Sequence, residues 1–318
     1  MPNTTHGADR LMILMAVYNG AGSLDQQLDS LRRQTFDAWD LTVADDGSTD
    51  QSREVIADFA KSQAAHGNKV SLRAGPGRGF AENFLTLLAD LPESTGAVAL
   101  ADQDDIWLPE KLERAQGSLA GRPADQPALY CSRRYIWSPE SAGRRQVSQN
   151  YTRPPSFANA LIENIAPGNT IVLNAAAARR ARSAAQTRPE GIFAHDWWLY
   201  LVLTGMGAEV IFDPEPTLLY RQHTGNALGA GESTRTWIWN KAAVLRGVFA
   251  RRITGNLQAL TPIEPLLTAE NRARLALFRQ ARSVSLPRRL RLLHRAGVYR
   301  QGRASGFGFW GAACLGLV

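Results

Sequence analysis

The sequence predicts an α/β fold in which a largely parallel β-sheet is covered by helices on both faces. Short β-prone runs alternate with amphipathic segments through residues 11–117, an order that is typical of β-α-β units. Each run ends in turn-forming or acidic residues, as strands do where a loop begins. The chain has 318 residues, 44% of them hydrophobic, which is enough for one large core or two smaller ones.

The elements of the first half follow from their periodicity. Strands are predicted in the apolar runs LMILMAV (11–17), WDLTVAD (39–45), VSLRAG (70–75) and AVALADQDD (97–105). Helices are predicted where apolar residues recur every three or four positions, in the segments 23–34, 50–63, 81–91 and 109–117. Pro109 suits the first turn of the last helix. Because ligands of parallel sheets bind beyond the carboxyl ends of the strands, the residues that follow each strand are the functional candidates.

The second half is less regular. Strands are expected in residues 128–137, 169–174, 208–213 and 217–222, and helices in residues 175–186 and 195–205. From about residue 235 the chain is expected to be helical and broken at its prolines. We therefore expect an α/β domain over residues 8–235 and a helical, Arg-rich region over residues 236–318.

The charge is concentrated at the C-terminal end. The net charge is +7, yet residues 241–318 contain 14 lysines and arginines against two acidic residues. Such a tail is typical of segments that bind an anionic membrane surface or nucleic acid. The alternative is a helix whose charged face is simply exposed to water. No known nucleic-acid motif is present, so nucleic acid is not expected as a partner.

The last residues favour a membrane-surface anchor over a membrane span. The final apolar stretch, FGFWGAACLGLV, is too short to cross a bilayer as a helix. Apolar residues could instead enter the lipid surface while arginines contact the head groups. We expect the leucines of residues 286–296 to share one apolar face.

Cysteine usage and the N-terminus indicate the cytoplasm. The two cysteines, Cys131 and Cys314, are too far apart for a zinc ribbon or a disulfide scaffold, and a reducing compartment fits them. The early apolar run 11–17 is short and lacks a basic start, so it is expected to be a strand and not a signal peptide. We expect a cytoplasmic protein, peripheral on the inner face of the cell membrane.

Three carboxylates follow the fourth strand, in ADQDDIW. Asp102, Asp104 and Asp105 would repel one another unless a cation lies among them. Oxygen ligands favour Mg²⁺ or Mn²⁺, which would keep positions for water or phosphate. A calcium loop is excluded because its required glycine would fall on Trp107.

The glycine-rich segment GPGRGF (75–80) is a weaker signal. Its glycine spacing is neither that of a dinucleotide-binding fingerprint nor that of a P-loop. It is expected to be either a plain turn or a loop whose backbone approaches a ligand, with Arg78 available for a phosphate.

Together these motifs resemble a known family. AVYNG, SLRRQTF, LTVADDGSTD and ADQDDIW, followed by HDWWLYL and YRQHTGN, resemble the family 2 glycosyltransferases, which are inverting enzymes of the GT-A fold, and in particular their rhamnosyltransferase-like branch. The resemblance covers residues 10–230. It implies a nucleotide-binding mixed sheet sandwiched by helices, with the basic helical tail as an extension.

The resemblance also implies residue roles in donor binding. Asp46 would accept a hydrogen bond from a pyrimidine N–H, and Asp102 would face the ribose or the metal. Asp104 would bind the Mg²⁺ or Mn²⁺ that bridges the diphosphate. Further donor contacts are expected from Ala16, Tyr18, Asn19, Arg78, Asn83 and Gln103. Ala16 would offer no side-chain contact.

The later motifs would supply the remaining roles. Asp196 of HDWW matches the catalytic base, although it could instead be a helix cap. His223 of YRQH matches a metal or phosphate ligand, although it could be an ordinary polar strand-end residue. Trp197 and Trp198 could be an aromatic platform for an acceptor sugar or part of a core.

The expected activity is transfer of a sugar, with dTDP-rhamnose as a candidate donor, to a glycan or lipid-linked acceptor in the synthesis of bacterial surface polysaccharide. Two alternatives remain. A sugar nucleotidyltransferase would be expected to carry a basic Gly-rich loop after the first strand, where AVYNGAGSLDQQ has no Lys or Arg. A non-catalytic sugar-binding module would need neither metal nor nucleotide.

Overall fold

The computed structural model describes residues 10–139, 143–222 and 247–318. Within them the chain forms two compact units built from interleaved segments. The first unit contains residues 10–139, 143–150, 166–187 and 208–222, and the second contains residues 151–165, 188–207 and 247–318. The domain division at residue 235 stays a prediction.

The first unit is built on one mixed sheet. Its strands are β1 (Leu11–Val17), β2 (Trp39–Asp45), β3 (Val70–Ala74), β4 (Val98–Asp102), β5 (Ile106–Trp107), β6 (Ala128–Trp137), β7 (Gln146–Val147), β8 (Val172–Leu173) and β9 (Glu209–Arg221). The order is β3-β2-β1-β4-β8-β6-β9-β5, with β7 paired to β6. β1, β2, β3 and β4 pair in parallel, which confirms the prediction for the first half.

The second half of the sheet departs from the predicted elements. β8 is only two residues long and antiparallel to β4 and β6. The two strands expected at 208–213 and 217–222 form the single strand β9, which runs through Pro214 and Pro216. Register shifts in its pairing with β6 occur where these prolines lie, because a proline cannot donate to a sheet ladder. The short strand β5 was not predicted, and it pairs with β9.

Helices cover both faces of this sheet. They are α1 (Ala21–Arg32), α2 (Ser52–Ala64), α3 (Phe80–Ala89), α4 (Lys111–Leu119) and α6 (Ala175–Gln186), with a short 3-10 helix at Gly168–Thr170. The odd-numbered residues of β1 pack with leucines and alanines of α1 and α4 in one cluster. The even-numbered residues point to the opposite face, because side chains alternate along a strand, and α3 packs there with α6. Pro109 precedes α4 by two residues and is not part of it.

The second unit is helical, as predicted for the C-terminal region. It contains α5 (Phe157–Ala160), α7 (His195–Gly205), α8 (Val248–Ala259), α9 (Ala269–Arg282), α10 (Arg288–Ala296) and α11 (Arg303–Cys314), with a 3-10 helix at Thr261–Leu266. Thr268 caps α9 by accepting from the backbone N–H of Asn271, and its own N–H donates to Gly205. Among the described residues, no helix has both the length and the apolarity that crossing a membrane requires.

Candidate active site

Parallel pairing brings three of the sequence motifs to one edge of the sheet. Ala16 of β1 is in register with Ala44 of β2 on one side and with Asp102 of β4 on the other. Val17 is likewise opposite Asp45. The loops AVYNG, ADDGSTD and ADQDD therefore leave the sheet side by side, where open α/β sheets bind ligands.

The first two loops are joined by hydrogen bonds. Asn19 has a φ of 47°, a left-handed conformation that asparagine tolerates better than most residues. Its Oδ1 accepts from the backbone N–H of Thr49 at 2.8 Å, and its own N–H donates to Ser48 Oγ at 2.9 Å. These bonds leave the Tyr18 side chain 58% exposed at the rim. The AVYNG loop is thus held rigidly against GSTD.

Asp46 holds the glycine loop, which we define as residues 75–79. Its Oδ1 accepts from the N–H of Gly77 and its Oδ2 from the N–H of Gly79, both at 2.7 Å. A Cβ on Gly75 would lie 2.7 Å from Asp46 Oδ1, so this position has room only for glycine. The segment is thus a loop whose backbone closely approaches the predicted base-binding carboxylate.

The two other residues predicted from this region lie at different depths. Asn83 is 1% exposed, and its Nδ2 donates to the carbonyl of Ala44 at 2.9 Å, so this group braces the end of β2. Arg78 is exposed at the tip of the glycine loop. Their contacts with a donor stay predictions.

The residues 102–105 form a turn, which we call the acidic turn, whose side chains differ in depth. Asp102, Gln103 and Asp104 are half-buried, whereas Asp105 is fully buried. Gln103 spans to the AVYNG loop, where its Oε1 accepts from the N–H of Tyr18 at 2.9 Å and its Nε2 donates to the carbonyl of Tyr18 at 3.1 Å. The position between the two aspartates is therefore a brace as well as a predicted donor contact.

Three residues that the sequence did not single out as site residues support the acidic turn. Arg221 donates from Nε to the carbonyl of Asp104 at 2.9 Å. Asn169 donates from Nδ2 to Asp105 Oδ2 at 2.6 Å. Lys111, also fully buried, donates to the carbonyl of Asn169 at 3.0 Å. The PGNT turn before β8 was the available signal for Asn169, and a lysine at the start of a helix gave none for Lys111.

Burial strongly shifts the pKa values of two of these groups, Asp105 and Lys111. Desolvation, followed by the charges of Asp102 and Asp104, raises the pKa of Asp105 well above its usual range. Desolvation lowers the pKa of Lys111 to about 7, against the opposing charge of Asp105. Both shifts have the sign that burial of a charged group produces.

The donor set of the acidic turn fits a small divalent cation. Mg²⁺ in nucleotide sites is commonly held by one or two carboxylates together with substrate phosphates. Asp102 and Asp104 can supply these two carboxylates, while Asp105 is turned inward to Asn169. Among the described residues no three His, Cys, Asp or Glu side chains converge on one point. His223 lies outside the described residues.

Asp196 belongs to the second unit. It is the second residue of α7 and half-buried, and its Oδ1 accepts from the N–H of Trp197 at 2.7 Å. The cap position is occupied by Ala194, which makes no side-chain cap. The alternative that Asp196 is the helix cap is therefore wrong, and its role as a base stays a prediction.

The two tryptophans after Asp196 are buried within the second unit. Trp198 is fully buried, and Trp197 is 8% exposed with its Nε1 donating to the carbonyl of Ala160 at 2.7 Å. These contacts are what core packing predicts. The acceptor platform stays a prediction, and Trp198 has no exposed surface to offer an acceptor.

Comparison with known proteins identifies the family. The model of the family "Glycosyl transferase family 2" matches residues 12–186. The dTDP-rhamnosyl transferase RfbG of Shigella flexneri is 26% identical over 252 residues, which are 77% of this chain and 84% of that protein. The UDP-Glc:alpha-D-GlcNAc-diphosphoundecaprenol beta-1,3-glucosyltransferase WfgD of Escherichia coli is 31% identical over 101 residues, 32% of this chain and 37% of that protein.

Solved structures support the same fold. Residues 1–349 of TarS from S. aureus in complex with UDP-GlcNAc superimpose with a TM-score of 0.53 at 14% identity, covering 91% of this chain and 93% of that one. The predicted GT-A fold, with its mixed sheet and helical C-terminus, is thereby confirmed. The family match spans more than half of the chain and contains all three loops of the sheet edge. The chain therefore belongs to glycosyl transferase family 2, whose members transfer sugars from nucleotide-sugar donors.

Proposed function

We propose that the protein transfers rhamnose from dTDP-rhamnose to a glycan or lipid-linked acceptor in the synthesis of a bacterial surface polysaccharide, with inversion at the anomeric carbon. The observation that carries this proposal is the common register of Ala16, Ala44 and Asp102. This register brings to one sheet edge a carboxylate that can bind the nucleobase, a glycine loop, and a pair of carboxylates that can hold a metal ion. A nucleoside diphosphate requires such a set of contacts.

The sugar and nucleotide are inferred from the relatives. The relative that matches 77% of the chain is named a dTDP-rhamnosyl transferase, which favours a thymidine donor. The shorter match is to an enzyme named for a diphosphoundecaprenol acceptor, which favours a lipid-linked acceptor. A single carboxylate base and one displacement are enough for inversion, unlike the paired carboxylates of glycoside hydrolysis.

The proposed catalytic base is Asp196. A sugar hydroxyl is a weak nucleophile near neutral pH, so a carboxylate that accepts its proton lowers the barrier. Asp196 lies in the first turn of α7 and is half-buried.

Asp102 and Asp104 are proposed to hold the divalent ion, with His223 as a further candidate ligand. When bound, Mg²⁺ or Mn²⁺ would neutralise charge that develops on the leaving diphosphate. The side chain of Arg78, exposed at the tip of the glycine loop, is proposed to contact the same phosphates. Asp46 is proposed to accept from the thymine N3–H.

The test is turnover of a panel of nucleotide sugars with Mn²⁺ or Mg²⁺, followed by release of nucleoside diphosphate. Asp104→Ala and Asp196→Asn should both abolish turnover, whereas only Asp104→Ala should weaken Mn²⁺-dependent binding of dTDP. Asp58→Ala, at an exposed acid of α2, is the matched control and should behave as wild type. Full activity in either site variant, or release of pyrophosphate instead of nucleoside diphosphate, would contradict the proposal.

We further propose that the second unit contacts an anionic membrane surface, where a lipid-linked acceptor would lie. The exposed side of α10 carries Arg288, Arg291, His294 and Arg295. Phe307 of α11 is 79% exposed and Leu315, just after α11, is 69% exposed. Basic residues beside exposed apolar ones are suited to anionic head groups and the lipid surface beneath them.

The described contacts change which apolar residues can enter the lipid. Leu293 is fully buried and Leu290 half-buried, so these two leucines of α10 pack inside the unit and cannot enter lipid. Arg289 donates to the carbonyl of Ala313 at 3.0 Å. This bond places the start of α10 next to the end of α11, where Leu286 and Leu315 are exposed.

Flotation with liposomes tests this surface. The variant Phe307→Ser/Leu315→Ser should lose binding to vesicles of phosphatidylglycerol and phosphatidylcholine. The variant Arg288→Gln/Arg291→Gln/Arg295→Gln should bind these vesicles more weakly at low salt, and its binding should depend less on salt than that of the wild type. Leu72→Ser, at an exposed leucine of β3, should bind as wild type. Equal binding of all variants, or equal binding to vesicles of phosphatidylcholine alone, would refute the anchor.

A further inference from the structure

Two ionisable side chains are buried directly behind the acidic turn. Asp105 and Lys111 are both fully buried, and both bond to Asn169 and not to each other. Burying ionisable groups that are not directly paired costs free energy, and apolar replacements of buried charged groups are often neutral or stabilising. A contribution to stability therefore does not by itself explain this arrangement.

Asn169 is the point where the contacts meet. Its Nδ2 donates to Asp105, its carbonyl accepts from Lys111, and its Oδ1 accepts from Arg134 NH1 at 3.3 Å. The ammonium of Lys111 also lies 4.5 Å from the centre of the Trp107 ring. Each polar atom of the Asn169 side chain thus has a partner, and the residue is 1% exposed. These bonds hold the Asn169 side chain in one orientation, while Asp105 Oδ1 is buried without a hydrogen-bond partner among the described residues.

The acidic turn is anchored at three consecutive residues by three different elements. The side chain of Gln103 bonds to the AVYNG loop, the carbonyl of Asp104 to the end of β9, and the side chain of Asp105 to Asn169. These anchors fix the backbone on both sides of the Asp104 side chain. Residues behind metal ligands commonly orient them and alter metal affinity by about 10- to 100-fold.

We propose that Asp105 and Asn169 are positioning residues that set the direction in which Asp102 and Asp104 present their carboxylates to the nucleotide diphosphate. This inference rests on the proposed donor site. The bond that matters is the one from Asn169 Nδ2 to Asp105 Oδ2, because it links the buried network to the acidic turn.

Two double variants separate positioning from stability. Asp105→Asn/Lys111→Met removes both ionisable groups and keeps an oxygen that accepts from Asn169. Asp105→Leu/Lys111→Met removes the ionisable groups and that oxygen. The side-chain volumes are similar, but the Asp105→Leu double variant should unfold at a lower temperature because the buried Asn169 Nδ2 loses its partner, so the melting temperature is measured for both. Lys61→Met, at an exposed lysine of α2, controls for the loss of a lysine.

The first readout is hydrogen exchange of the amides of residues 103–107 in the protein without nucleotide. The Asp105→Leu double variant should lose protection there, and the Asp105→Asn double variant should keep it. Equal protection in the two would overturn the inference whatever the protein binds. This arm does not depend on the proposed function.

The second readout is the donor KM beside kcat, together with Mn²⁺-dependent binding of dTDP and UDP. We expect the Asp105→Leu double variant to raise the donor KM about tenfold with kcat within about threefold, and the Asp105→Asn double variant to stay within about twofold of wild type. If kcat falls and KM rises in both variants in proportion to the drop in melting temperature, the inference is overturned. Absence of nucleotide binding in the wild type would instead refute the proposed function, while the exchange experiment still decides the positioning role.

Discussion

Arg221 Nε donates a hydrogen bond of 2.9 Å to the backbone carbonyl of Asp104, a residue 117 positions earlier in the chain. The Cζ atom of the Arg221 guanidinium lies 4.8 Å from the centre of the Trp137 ring. Stacking on an indole and bonding to a carbonyl both use the planar shape of the guanidinium. The end of β9 thereby bonds to the acidic turn at Asp104, next to the residue to which Asn169 donates.

Replacing Arg221 should weaken donor binding as well as destabilise the fold. A charged hydrogen bond to a carbonyl contributes roughly 1.5–3 kcal/mol to the free energy of unfolding. Because the acidic turn also loses a support behind its carboxylates, Arg221→Met should raise the Kd for dTDP with Mn²⁺ about tenfold or more. Arg221→Lys should recover little, since a lysine cannot reproduce the planar geometry. Titration calorimetry measures both variants, and Arg73→Met, at an arginine of β3 in the first unit, is the control. Wild-type affinity in Arg221→Met would show that the bond does not position the turn.

Asp46 gives a prediction about base selectivity. Its carboxylate accepts from the N–H groups of Gly77 and Gly79, so a nucleobase imide would have to replace or join these donors. Thymine and uracil carry an N3–H and cytosine does not, so the wild type should prefer dTDP and UDP to dCDP. Asp46→Asn should lose this preference, because the amide offers one acceptor instead of two. Competition binding with the three nucleotides measures it, and an unchanged preference would contradict the base-reading role.

Gly75 tests the close packing beneath the glycine loop. A Cβ there would lie 2.7 Å from Asp46 Oδ1 and 3.1 Å from Asn83, so Gly75→Ala must displace one of them. We expect a loss of roughly 1–3 kcal/mol in the free energy of unfolding and weaker dTDP binding. Gly117→Ala, in α4 with no atom within 4 Å of the added Cβ, should instead stabilise by about 0.5–1 kcal/mol. Similar effects of the two substitutions in urea titrations would refute this account.

The sequence was sufficient to predict the parallel half of the sheet. The apolar runs of its strands and the three-to-four-residue spacing of apolar residues in its helices are local signals. Asp102 and Asp104 could be predicted as candidate site residues for the same reason, since they lie at the end of a strand that the local pattern predicts. β5 was not predicted, because a two-residue strand exists only through its pairing with β9. Asn169 and Lys111 were missed because their function depends on contacts between residues 58 positions or more apart. Burial of Trp198 likewise depends on the packing of α7 and not on its sequence.

The buried histidine beside the proposed base gives a pH dependence of stability. Burial lowers the pKa of His195 from 6.5 to about 4. Between these values the unfolded chain binds a proton that the folded protein does not, so the free energy of unfolding should fall as pH decreases from 6.5 to 4, by up to about 3 kcal/mol. Urea titrations across this range should show a shallower fall for His195→Gln, whereas His66→Gln, at an exposed histidine, should keep the wild-type slope. Parallel slopes for wild type and His195→Gln would contradict the prediction, because they would mean that the pKa of His195 is the same in the folded and the unfolded protein.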